Sequence, residues 1–246
     1  NRELGLFVVG STATLEEVVV HDTLARADGL GGRGIGIEND PDTGAVSDVT
    51  VRRSLVAGNR DVGLVVSGST ATLEEVVVRD TLPRDDGLWG RGIHIRSDRD
   101  TGAVSDVAVR RSLLAGNCQV GLSIVGTTAT LEEVVVRDTL AQAADGLFGD
   151  GIAVVGSFPG EGTFPPTAAH MTGVLVERSA RAGVFFYNAG GSFCDSVLRG
   201  GVFAVALDQG ADPMVCDDNL YEGNERNDVS VGQGLEPSPT LEREDL

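Results

Sequence analysis

The sequence predicts an all-β fold: a single-stranded right-handed parallel β-helix, about eight coils of roughly 29 residues each. Three observations carry this. The string TATLEEVVV stands at Thr12–Val20, Thr70–Val78 and Thr128–Val136, always 58 residues apart. Between the copies, AVSDVTVRRSL (Ala45–Leu55) and AVSDVAVRRSL (Ala103–Leu113) alternate apolar and polar residues as half-buried strands do. A Gly followed by alternating apolar residues also recurs once per half-unit, at Gly5, Gly34, Gly63, Gly92, Gly121 and Gly151.

Each element follows from local chemistry. Leu15, Val18 and Val19 have helical spacing, but the triple Val is β-branched and favours a strand. The AVSDV segments align without a gap on the TATLEE segments, Leu15 with Val46, Glu17 with Asp48 and Thr23 with Ser54, so the 58-residue unit divides into two related coils. Gly and Asn at the corners turn the chain, and each coil buries its inward side chains only by stacking on its neighbours. Residues 1–150 form regular double coils and 151–232 irregular ones, with a polar tail over 233–246. The opening NRELGL matches NRDVGL at Asn59–Leu64, so the chain is expected to be a fragment of a longer protein.

Segments such as VTVRRSLVAGNRDVGLVV resemble the parallel β-helix repeats of the pectin-lyase-like superfamily, over roughly residues 1–232. That resemblance implies the fold, and it raises polysaccharide lyase or polygalacturonase-like hydrolase as an activity. Of the hydrolase constellation only CDDN at Cys216–Asn219 is similar, and the Lys that often serves as a lyase base is missing, because the chain holds no Lys at all.

The formal net charge is −18, and all 19 basic residues are Arg. Such acidity repels phosphate backbones and anionic membrane surfaces, so neither nucleic acid nor membrane insertion is expected. No stretch approaches the roughly 18–20 apolar residues that span a bilayer. Arg without Lys fits a GC-rich bacterial genome. No cofactor is expected, with Ca²⁺ the one possible ion.

Aligned coils give columns. Asp22, Arg53, Asp80, Arg111, Asp138 and Arg178 alternate in sign and are expected to stack as a structural ladder that fixes register. Glu17, Asp48, Glu75, Asp106 and Glu133 are expected as a row of like charges, a weak candidate for Ca²⁺ because no EF-hand or nonapeptide motif accompanies it. Thr12, Thr43, Thr70, Thr101 and Thr128 form a third column, a partial match to the Thr-x-Thr arrays of ice-binding solenoids.

After Gly151 the regularity fails, with a Gly- and Pro-rich loop over Gly156–His170. Were the chain an enzyme, its site would lie within 156–224, with Asp195, Asp217 and Asp218 as paired acids and Arg181, Arg199 and His170 as further candidates. His94 aligns with Gly36 and Ala153 and is read as an ordinary position. Cys194 and Cys216 fall at nearly the same phase of successive coils, either disulfide-bonded or reduced, and Cys118 stands alone. Near-identical coils favour a non-catalytic extracellular or cell-surface scaffold that presents a long face to glycan or protein. A carbohydrate-active enzyme is the alternative.

Overall fold

The computed structural model describes residues 2–157, 165–235 and 237. It is a right-handed parallel β-helix with three faces and, among the described residues, no helix. The first face stacks nine parallel strands, from Leu4–Val9 through Arg33–Glu38 and Val62–Ser67 to Arg226–Val231. The second face starts at Thr12–Glu16 and the third at Val19–His21, each with eight strands in chain order. The strands form because their inward rows are aliphatic and continuous. Leu15, Val51, Leu73, Val109 and Leu131 stack on the second face, and Val20, Val56, Val78, Leu114 and Val136 on the third. Ile35, Leu64, Ile93, Leu122 and Ile152 complete the core from the first face, all fully buried. At the corner into the first face Gly is obligatory: a Cβ on Gly63 would sit 2.5 Å from Val78 Cγ1 and 2.7 Å from the Gly92 carbonyl.

The register corrects the gapless alignment of the half-units. Leu15 pairs with Val51, not Val46, and Thr12 with Asp48. Up to Val120–Val125 the first-face strands repeat every 29 residues (Leu4 with Arg33, Ile35 with Leu64), whereas second-face strands alternate between long and short intervals, Leu15 to Val51 and Val51 to Leu73. The extra length lies in loops at both ends of every second first-face strand. Residues 22–32, 80–90 and 138–149 precede Arg33–Glu38, Arg91–Arg96 and Asp150–Val155; residues 39–47 and 97–105 follow the first two. Asx turns shape them: the Leu30, Leu88 and Leu147 N–H groups donate to Asp28, Asp86 and Asp145.

Polar corners are satisfied by side chains from the next coil. Asn59 accepts the Thr23 N–H at 3.0 Å and donates to the Val20 carbonyl at 3.3 Å, and Asn117 repeats this with Thr81 and Val78. Ser54 and Ser112 serve the other corner, accepting from the Val18 and Val76 N–H groups. Thr23 and Ser54 therefore occupy different corners. The C-terminal coils keep the stacking, with Met171 on Leu131 and Phe193 on Met171. There Cys194 and Cys216 are joined as a disulfide, while Cys118 is free and buried. Asp208 accepts the Leu235 N–H at 2.9 Å, laying the start of the expected tail against Phe185, Tyr187 and Ala206 outside the first face. Residues 158–164 of the expected loop, with 236 and 238–246 of the tail, lie outside the described residues.

Candidate functional site

The outward residues of the first face ought to meet solvent, yet each strand from Arg33–Glu38 to Ala182–Tyr187 is buried along its whole length. Beneath the flanking loops lies a second interior, distinct from the solenoid core. Val62, Val65 and Trp89 cluster at one part of it, and Val120, Ala153, Phe185 and Tyr187 at another. Between these apolar groups stand charges. Arg33, Arg84, Arg91 and Arg96 with Glu38, Asp61 and Asp98 are all less than a tenth exposed, an unusual concentration of buried cations in so acidic a chain.

Trp89 organises the cations. Its φ of 66° is costly for a bulky residue, and the turn holds the indole between two guanidinium groups, Arg91 at 4.4 Å and Arg84 at 5.1 Å from the ring centroid. Phe148, the matching residue of the next long loop at φ 60°, packs on Arg181 at 5.2 Å. Asp61 sits 3.8 Å from Arg33 and 3.9 Å from Arg84, and Glu38 is 3.4 Å from Arg33. Arg91 donates through Nε to Gln119 at 2.8 Å and meets His94 Nδ1 at 3.3 Å; Gln119 in turn donates to Gln142.

Desolvation governs the electrostatics here. Burial pushes the Arg91 guanidinium down to about 9, reinforced by Arg84 and Arg96 and opposed by Asp61. Arg33 is lowered by burial as well, with Asp61 and Glu38 opposing. His94 falls well below its ordinary range, first from burial and then from Arg91, Arg96 and Arg33, so it is neutral at pH 7. Its Nε2 and the Trp89 Nε1 are buried without a hydrogen-bond partner among the described residues. Such atoms are costly unless something polar meets them.

Sequence reasoning missed this site and read His94 as ordinary. The available signal was a charged residue inside an otherwise Gly–Ile strand, Arg33 and Arg91 before GI, with Trp89 two residues earlier.

The residues that sequence reasoning did single out lie elsewhere. The expected Asp/Arg ladder is two columns, because Asp22 is level with Gly58 and Arg53 with Glu17. One column holds Asp22, Gly58, Asp80, Gly116, Asp138 and Arg178, in which Arg178 grips Asp138 at 2.6 and 3.1 Å. Glu17, Arg53, Glu75, Arg111 and Glu133 form the other, so the expected row of like charges is a row of alternating ones. Beside it run Glu16, Arg52, Glu74, Arg110 and Glu132 in the same alternation. Arg53 pairs with Glu16 and Glu17, and Arg111 with Glu74 and Glu75. Asp48 and Asp106 leave the proposed Ca²⁺ row altogether and stand level with Thr12, Thr70 and Thr128. Thr43 and Thr101 lie in loops, so the Thr column is also interrupted.

The acids and bases considered for catalysis do not converge. Asp195, Asp217 and Asp218 sit at the turn from the second to the third face, where Asp218 accepts the Asp195 N–H at 2.9 Å. His170 is on the outer second face, 3.0 Å from Ser192 Oγ. Arg199 lies on the outer third face between Glu177 and Glu222. Arg181 is at the foot of the first face, clasping buried Asp150 at 2.8 and 2.5 Å.

Together these features define a β-helix solenoid with a roofed, arginine-rich outer face. No protein-family model matches the chain, and no curated protein does. Among solved structures it is similar to QnrB1, a plasmid-mediated fluoroquinolone resistance protein, at 12% identity over 95% of this chain and 94% of that one, with a TM-score of 0.21. A likeness at that level carries no argument here. Among the described residues no helix is long and apolar enough to cross a membrane.

Proposed function

We propose that the chain is a non-catalytic binding module of the pectin-lyase-like type, displayed outside the cell, whose ligand is an acidic polysaccharide held along the outer first face, where the local arginine cluster acts against the repulsion that the net charge of −18 exerts on a polyanion. The carrying observation is the Arg33, Arg84, Arg91 and Arg96 cluster with His94 Nε2 and Trp89 Nε1, which have no hydrogen-bond partner among the described residues. Guanidinium groups recognise carboxylates in a planar, two-point manner, and an indole face suits a sugar ring. Low local dielectric strengthens such contacts relative to water. Because the floor is buried, a ligand reaches it only as the covering chain gives way, so association is expected to be slow. The enzyme alternative has less support: among the described residues Asp195, Asp217 and Asp218 lie at the turn between the second and third faces, whereas Arg181 lies at the start of the first face.

The test is calorimetric titration with polygalacturonate, a neutral dextran of equal length serving as control. Binding of the polyuronate alone, weakened by salt and reduced at least tenfold in Arg91→Gln with an unchanged circular dichroism spectrum, supports the reading. Equal binding by Arg91→Gln, or none by the intact chain, overturns it. Unsaturated or reducing ends accumulating during the titration would replace it with the enzyme.

A further inference from the structure

The turn between the second and third faces in the C-terminal coils brings together Cys194 Sγ, Cys216 Sγ and an Asp218 carboxylate oxygen, all within 4.8 Å of one another. The two sulfurs are bonded, with the Cα atoms 4.9 Å apart. What matters is that their placement does not depend on that bond. The Cys216 N–H donates to the Phe193 carbonyl at 3.0 Å, and Asn219 Nδ2 donates to the Phe193 and Cys216 carbonyls, both at 2.8 Å. Asn219 Oδ1 accepts the Ser196 N–H at 3.1 Å, and Ser196 Oγ donates to the Cys194 carbonyl at 2.7 Å. Asp218 is fixed through the Asp195 N–H at 2.9 Å. Cys194 also belongs to a paired strand, level with Thr172.

We propose that this turn is a redox-gated site for a thiophilic divalent cation, Zn²⁺ in the first instance. A dithiol delivers two electrons and two protons and is itself oxidised to a disulfide. A phosphine delivers the two electrons and becomes the phosphine oxide, while water supplies its oxygen and the two protons. Either way the S–S bond breaks, and two thiols remain face to face. The cation then displaces both thiol protons to solvent and takes Cys194 Sγ, Cys216 Sγ and Asp218, with water completing a tetrahedron. Zinc–sulfur bonds of about 2.3 Å and zinc–oxygen bonds of about 2.0–2.2 Å place tetrahedral ligands within about 4 Å of one another. After reduction the two sulfurs, bonded in the oxidised form, therefore swing apart by side-chain rotation while the carboxylate oxygen draws in. Two thiolates and a carboxylate bring three negative charges to the ion, and Asp195 and Asp217 lie beside them. Oxidised, the same residues staple the last coils. Reduced, the metal takes over as the staple.

The full chain is titrated with Zn²⁺ and, separately, Co²⁺, either oxidised or after phosphine reduction under argon. The expected result is one Zn²⁺ per chain in the reduced form alone, with proton release, and a thiolate-to-cobalt charge-transfer band in the near ultraviolet. Asp218→Asn is expected to weaken Zn²⁺ at least tenfold, and Cys118→Ser to change nothing. Equal metal binding by oxidised and reduced chains overturns the proposal, as does a reduced chain that binds Co²⁺ without the charge-transfer band. So does a reduced chain that unfolds before metal is added, since the proposal requires the backbone bonds to hold the turn.

Discussion

Two arginine–aspartate pairs whose arginines stand three residues apart in sequence have nearly the same geometry and opposite settings. Arg178 grips Asp138 at a corner where both side chains are about half exposed, 52% and 45%. Arg181 grips Asp150 with the carboxylate fully buried and the arginine side chain 15% exposed. The first pair belongs to an exposed corner whose column reads Asp, Gly, Asp, Gly, Asp before Arg178. The second belongs to the roofed outer first face, where level with Asp150 stand Val120 and Ala182 instead of charges. Repetition on the surface stabilises register at small cost per residue. A charge that breaks an apolar row underneath a loop has a large desolvation cost, and it persists only with good partners or a task.

That contrast can be broken most forcefully at Asp150. It accepts two bonds from Arg181 and one from the Ala182 N–H at 3.2 Å. Asp150→Ala leaves a guanidinium partly buried without its carboxylate, and a loss of about 3 kcal/mol is expected from breaking such a pair. The double variant Asp150→Ala/Arg181→Met should recover part of that loss, because the stranded charge is gone as well. Urea denaturation measures both. If the single variant loses no more than a surface pair does, burial is not what distinguishes the two settings.

How much of this was legible follows the same division. The solenoid was readable because inward residues such as Leu15, Leu73 and Leu131 recur at the double-coil spacing of 58. Coil phase was not, because Leu15-x-x-Val18-x-Val20 matches Val46-x-x-Val49-x-Val51 as well as the true partner segment does. The charged doublets settle it: Glu16 and Glu17 lie level with Arg52 and Arg53, and that five-residue correction turns a supposed row of carboxylates into a mixed ladder. The outer first face was invisible for a different reason. Its burial depends on loops folding back over strands, and no periodicity in the strand reports what a loop covers. His94, level with Val65 and Ser123, had nothing in its own column to mark it.

A second way to sharpen the comparison is acid titration. His94 is held neutral by burial and by Arg91, Arg96 and Arg33, so its folded pKa is depressed. As pH falls through about 6.5 the unfolded chain takes up a proton that the folded chain refuses, and stability drops by up to about 1.4 kcal/mol per pH unit until the folded pKa is reached. The stability is therefore present above pH 6.5 and declines below it. Melting curves from pH 7.5 to 5 should show this slope in the native chain and a flatter one in His94→Gln. An unchanged slope in that variant would mean that carboxylates elsewhere control acid sensitivity.

The smallest effect is expected at the exposed corner. The hydrogen bond from Arg178 holds the Asp138 carboxyl below its usual range, but the pair stands in water. Exposed pairs gain little from Coulomb attraction, and two long side chains lose entropy when held together. Arg178→Ala should lower Tm by about 1 °C in dilute buffer, and the difference should vanish in molar salt, where the Debye length shrinks to about 3 Å. Arg53→Glu with Arg111→Glu is the harsher version, because it sets five glutamates level in one column. Its Tm should fall further than that of Arg178→Ala and recover with millimolar Ca²⁺, since only then do these coils present the continuous acidic edge that a cation needs. A native chain whose own Tm rises equally with Ca²⁺ would show that the alternating ladder already binds the ion, and that arginine between carboxylates does not exclude it.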